Sequence, residues 1–296
     1  MRAMRDMPGR DAKRLLVESL RRDLSRLESG MRAAPRLTLG AAEIDRRLAG
    51  LAGPVHLHES ACDGKGGLSL AGLHEVAAQA YPDMGAAAGF MVALGARLQA
   101  ARGGTLVWIT QAHRRAGAHD TGMLYGPGLA MLGLDPDRLL LVEAVSDAEA
   151  LWAAEEALAA AGVAGAVAEL SRAQACGLTA SRRLHLAAEK HTRPVFILPG
   201  HVAACAAPLS VALTRFRVRA APSLPVQTSG DSGGRAAGLG RPRFSIHLER
   251  VRGGVPFHLT LEWDHAACRF AVAAPVRDRA GGGLAQPAFG DLALTG

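Results

Sequence analysis

Residues 73–101 read LHEVAAQAYPDMGAAAGFMVALGARLQAA, and the way this stretch divides decides the fold. LHEVAA (73–78) is a short apolar run of strand length, whereas AAGFMVALGARLQAA (87–101) is too long for a strand and reads as a helix. Pro82 and Gly85 stand between them as local breakers. A strand, a turn and a helix in that order form the first half of a βαβ unit.

The same alternation continues outward. TLVWIT (105–110), LLLVEA (139–144), VAGAVAEL (163–170) and PVFILP (194–199) read as further strands. Helices are expected around 123–133, over 147–161 and over 179–191. Strands apolar on both faces, alternating with helices, predict an α/β fold with a mostly parallel sheet flanked by helices. The pattern then changes. LTRFRVRA (213–220), RFSIHLERV (243–251) and PFHLTLEWD (256–264) alternate polar and apolar residues, with a turn expected at Arg252-Gly253-Gly254 between the last two. They predict an antiparallel strand pair at the C-terminal side, and FAVAA (270–274) offers one more strand. Residues 221–242, rich in Pro, Gly and Ser, read as a disordered linker, and residues 280–296 as a loose tail. On the N-terminal side, Leu16, Leu20, Leu24 and Leu27 recur at three- and four-residue steps, so residues 11–29 read as an amphipathic helix. The expected organisation is an N-terminal helix and docking segment (1–46), a core (47–220), the linker (221–242) and C-terminal strands with a tail (243–296).

In a parallel-sheet ATPase the first strand leads into GxxxxGK[ST]. Its backbone amides cradle phosphate, its lysine meets the β- and γ-phosphates and its hydroxyl holds Mg²⁺. Here Gly85 falls where the last glycine belongs, and Ala86 and Ala87 stand in place of the lysine and the hydroxyl residue. No lysine occurs between Lys65 and Lys190. Glu169, at the end of VAGAVAEL, is the acid nearest a Mg²⁺-binding position, and after Thr110 come Gln111 and Ala112 where a general base is expected. These residues predict a degenerate site with no cofactor and no catalysis. The alternative enzyme reading is an ATPase with an unconventional phosphate loop using Gly85, Glu169 and an arginine.

The composition, 49% hydrophobic and 21% charged, is that of a globular protein, and the 296 residues suit one core with extensions. No run of 18 apolar residues stands out as a membrane span, and the basic N-terminus lacks the apolar stretch of a secretory signal. Cys62, Cys176, Cys205 and Cys268 have no CxxC spacing, which fits free thiols in the cytoplasm. His56 and His58 lack the further ligands zinc requires. The net charge of +7 divides into +5 over residues 1–47, −3 over 48–210 and +5 over 211–296, so the basic ends are candidates for DNA or an acidic protein surface. Arg215, Arg217 and Arg219 share one face of a strand and repel one another unless acids or anions relieve them. Arg182 and Arg183 are a second basic candidate, at the start of a helix. Trp108, Trp152 and Trp263 fall inside predicted elements and are expected in the core, with an exposed edge for Trp152 beside Glu155 and Glu156.

The order of segments over residues 37–200 resembles the RecA recombinase family: LTLG (37–40) through Ile44-Asp45 and Leu48, and Tyr125 with LGLDPDRLL (132–140). A narrower resemblance, to the ImuA family, rests on GLHEV (72–76), LYGPGL (124–129), ALWAAEEAL (150–158), LTASRRLHLAAE (178–189), TRFRV (214–218) and Arg252-Gly253-Gly254 before Leu261-Glu262-Trp263. This resemblance implies a RecA-like core and a role in error-prone translesion synthesis after DNA damage. The implied partners are ImuB, a polymerase-like protein lacking catalytic residues, an error-prone polymerase, and RecA itself. It also implies that residues 11–45, with the Leu16, Leu20, Leu24 and Leu27 stripe, dock on a neighbouring core or on a RecA filament end; the alternative from the residues alone is that the stripe folds back on its own domain. A RecA-like cell-division inhibitor is the remaining alternative.

Overall fold

A computed structural model describes residues 34–50, 66–111, 122–200, 209–224, 226–227, 237–238 and 240–274. The leucine stripe at 16–27, His56 and His58, Cys62, Cys205 and the 280–296 tail lie outside these residues.

The centre is a nine-stranded sheet. Its strands are β1 (Leu73–Ala78), β2 (Thr105–Gln111), β3 (Leu139–Ala144), β4 (Val163–Leu170), β5 (Val195–Pro199), β6 (Thr214–Ala221), β7 (Arg243–Val251), β8 (Phe257–Asp264) and β9 (Arg269–Val272). Their spatial order is β9-β8-β7-β6-β1-β5-β4-β2-β3. The six strands from β6 to β3 run parallel, and β7, β8 and β9 are added antiparallel. The C-terminal strand pair is therefore a three-stranded extension of the same sheet. Pairing of β7 with β8 stops at Leu248 opposite Phe257, so Arg252-Gly253-Gly254 turns at the tip of a longer connection. Between β6 and β7, Val226–Gln227 pairs antiparallel with Ala237–Gly238, and the chain returns beside the strand it left.

The helices are α1 (Ala42–Leu48), α2 (Met84–Arg102), α3 (Gly126–Met131), α4 (Asp147–Ala159) and α5 (Leu178–His191). The helix expected over 123–133 is thus a six-residue turn opened by Pro127. Helix α2 lies on one face of the sheet and is apolar nearly all round because it is enclosed nearly all round. Tyr81–Arg102 is the one stretch among the described residues long and apolar enough to cross a bilayer, and its burial accounts for that composition. Phe90 on α2 meets Phe216, Phe244 and Phe270 with ring centroids 5.3–5.6 Å apart, and Trp263 lies tilted against Phe270 at 4.7 Å. This aromatic cluster holds the antiparallel extension to the parallel core. The other face carries α4 and α5 over a second cluster that includes Val107, Ile109, Ala154, Leu184 and Ile197.

Candidate functional site

In doubly wound sheets, ligands bind at the carboxyl ends of the parallel strands. A cleft of about 150 Å³ opens there, lined by Met84, Ala88, Thr110, Met123, Leu141, Glu169 and Leu198 among others. It lies where a phosphate loop would close over the start of α2.

Local backbone geometry determines what this cleft can hold. After β1 the chain does not form a wide loop. Tyr81–Asp83 make a 3-10 turn that runs straight into α2. The Asp83 amide donates to the Ala80 carbonyl and the Met84 amide to the Tyr81 carbonyl, so these donors are used within the turn. The turn is fixed to the sheet by the Gln79 amide on the Val218 carbonyl (2.8 Å) and by the Ala220 amide on the Asp83 carboxylate (3.1 Å). The helix register does the rest. Ala87, in place of the hydroxyl residue, is fully buried in the core, and Ala86 packs against that core. Met84, Gly85 and Ala88 face the cleft instead, and among the described residues no lysine or arginine lines it.

Glu169 stands at the end of β4 as expected, and β2 holds it. Trp108 Nε1 donates to Oε1 at 2.8 Å and Thr110 Oγ1 to Oε2 at 3.1 Å. Trp108 is a fully buried core residue with its indole N–H satisfied by this carboxylate. Beside it, Gln111 bonds Asp147 and Ser171, and the Ser171 amide donates to Asp147 at 2.7 Å, which ties β2, β4 and α4 together. Among the described residues, no three His, Cys, Asp or Glu side chains converge as metal ligands.

The three-arginine strand is β6. Phe216 and Val218 point into the α2 core, and the arginines share the opposite face. Acids relieve two of them. Arg215 Nε lies 2.5 Å from Glu75 on β1, whose other oxygen accepts the Ser210 hydroxyl at 2.5 Å. Arg217 pairs with Glu249 on β7 at 3.0 Å. Arg219 is half-buried, and its guanidinium makes no hydrogen bond or ion pair among the described residues. The other arginine pair also divides: Arg183 crosses to Glu155 on α4 at 2.6 Å, while Arg182 points to solvent. Of the tryptophans, Trp108 and Trp263 are fully buried, but Trp152 is 58% exposed. The α4 positions facing the core are Ala150, Ala154 and Leu158, which places Trp152 on the outer crest.

Two polar residues of β1 escaped the sequence reading. His74 is fully buried, between the Ser69 carbonyl (2.8 Å from Nε2) and the Thr214 hydroxyl (2.8 Å from Nδ1), and burial pushes its pKa down to about 4. Glu75 is the partner of Arg215. Their signal was present: a polar pair inside an otherwise apolar, buried strand requires partners.

No family model matches the chain. Among curated proteins, it is similar to the protein named ImuA from two strains of Caulobacter vibrioides, at 40% identity over 205 residues, covering 66% of this chain and 76% of the relative.

Proposed function

The chain belongs to the ImuA family, and from that premise we propose that it is a non-catalytic, cytoplasmic RecA-like accessory factor in error-prone translesion synthesis after DNA damage. It acts by binding the polymerase-like protein ImuB, and through it or directly meets RecA and DNA. One observation carries the non-catalytic part of this reading: the start of α2. A phosphate cradle needs free backbone amides, a cation and a hydroxyl. Here the amides at 83 and 84 close a 3-10 turn, Ala87 is buried in the core, and the cleft walls are largely Met, Leu and Ala with one acid. Triphosphate placed there would meet Glu169, with no cation among the described lining residues to balance it.

Calorimetry of the full chain with ATP and Mg²⁺ tests the catalytic half. We expect no binding heat at millimolar nucleotide, and micromolar binding would install the ATPase reading, with Glu169 as the Mg²⁺-facing acid. Co-purification with the ImuB protein of the same genome tests the other half. The expected result is a stable complex that persists without nucleotide.

A further inference from the structure

The outer side of α5 is built unevenly. One flank meets α4 through Arg183 and Glu155. The underside, with Ser181, Leu184 and Ala188, packs on the sheet. The third flank carries Leu178, Arg182 and Leu186, spaced four residues apart and therefore one above the other. Leu178 is 57% and Leu186 53% exposed. This flank adjoins residues 209–213: the Val211 amide donates to Ser181 Oγ at 3.2 Å, and a side chain on Gly72 would strike both Leu213 and His185. Leu209 at the head of that segment is 83% exposed. On its far side the segment is held by β7 and the turn after it, through Arg250 Nη1 on the Ser210 carbonyl (2.6 Å) and the Arg252 amide on the Leu213 carbonyl (2.8 Å). Arg250 and Arg252 are exposed.

The result is a shallow groove with leucines on its α5 wall and at its head, and arginines on both sides. Among the described residues, Arg182, Arg250 and Arg252 border it, with Glu189 as the acid on the α5 side, which pairs with His185 at 3.3 Å. Exposed leucines in line call for an apolar partner, and the surrounding arginines select its charge. We propose that this groove docks an acidic segment of ImuB carrying two or three aliphatic side chains. The leucines bury the aliphatic anchors, and Arg182, with Arg250 and Arg252, meets the carboxylates. Nucleic acid fits less well, because phosphate binding makes no use of a leucine stripe. The proposal rests on the partnership proposed above.

The test measures binding of purified full-length chain to ImuB by biolayer interferometry, for wild type, Leu186→Asp, Arg182→Glu and Trp152→Ala, with circular dichroism confirming that each folds. If wild type does not bind ImuB, the proposed partnership fails and the groove loses its stated occupant. If wild type binds, we expect Leu186→Asp to weaken binding by about 30-fold or more, the range of a buried anchor. Arg182→Glu should weaken it about tenfold, mainly in the association rate and less at high salt. Trp152→Ala, on the crest of the neighbouring helix, should leave it unchanged. Wild-type-like binding by both groove variants overturns the proposal. So does a result in which Arg182→Glu loses affinity for single-stranded DNA while Leu186→Asp keeps its affinity for ImuB. A variant that fails to fold is replaced by Leu178→Ser, read against the same outcomes.

Discussion

Replacing Arg215 by methionine separates a structural arginine from a binding one. In the folded chain the side chains of Glu75 and Arg215 are only 10% and 15% exposed, and the guanidinium Nε sits 2.5 Å from the carboxylate. Arg215→Met keeps the length and the apolar stem but removes the cation, so Glu75 remains buried with the Ser210 hydroxyl as its nearby donor. Removing one partner of a buried pair costs about 3–5 kcal/mol, chiefly because the other charge is left uncompensated. At roughly 2–4 °C per kcal/mol for a folded unit of this size, the melting temperature should fall by about 6–20 °C. The double variant Glu75→Leu/Arg215→Met removes both charges and should recover to within about 1 kcal/mol of wild type, since buried ion pairs gain little over apolar packing. Urea unfolding followed by circular dichroism supplies the free energies for the cycle, and fluorescence anisotropy with labelled single-stranded DNA supplies the binding readout. A loss of under about 1 kcal/mol in Arg215→Met, with DNA affinity falling tenfold, would refute the reasoning and assign the arginine to a nucleic-acid surface.

Other consequences can be measured on the same protein. His74 is neutral in the fold, with its pKa lowered from 6.5 to about 4. The unfolded chain takes up this proton first as the pH falls, so the stabilising contribution is complete above pH 6.5 and drains away between 6.5 and 4, a loss of about 3 kcal/mol. Urea midpoints from pH 7.5 to 4.5 should therefore fall more steeply for wild type than for His74→Gln, and equal slopes would contradict the assignment. Phe90→Ala removes the ring shared by Phe216, Phe244 and Phe270 and should cost about 3–5 kcal/mol in the same assay. Trp152→Ala should change stability by less than about 0.5 kcal/mol. Because Trp108 and Trp263 are buried, Trp152→Phe should also remove most of the iodide-quenchable fluorescence, and undiminished quenching would mean that the crest tryptophan is covered.

The strands and helices of the parallel core were legible because burial on both faces leaves a simple trace, short runs of Leu, Val, Ile and Ala punctuated by turns. VAGAVAEL and LLLVEA fall where the sequence reading placed them, to the residue. Charge pairing was not legible, for a physical reason. Glu75 and Arg215 are 140 positions apart and meet only because β6 inserts beside β1, a neighbour relation that periodicity does not encode. The same ambiguity affects the arginines of α5. Arg182 and Arg183 are consecutive, yet one step along a helix turns a side chain by about 100°, which sends one toward Glu155 and the other into solvent. The sequence identified a basic pair, and the position of α4 determined which member it occupies. Trp152 shows the reverse failure, because an apolar residue inside a helix was counted with the core although Ala150, Ala154 and Leu158 already supply the buried stripe. A large apolar residue opposite a complete stripe has no place in its own core, so Trp152 is left exposed, and its place on α4, across α5 from the proposed groove, is what makes it the control.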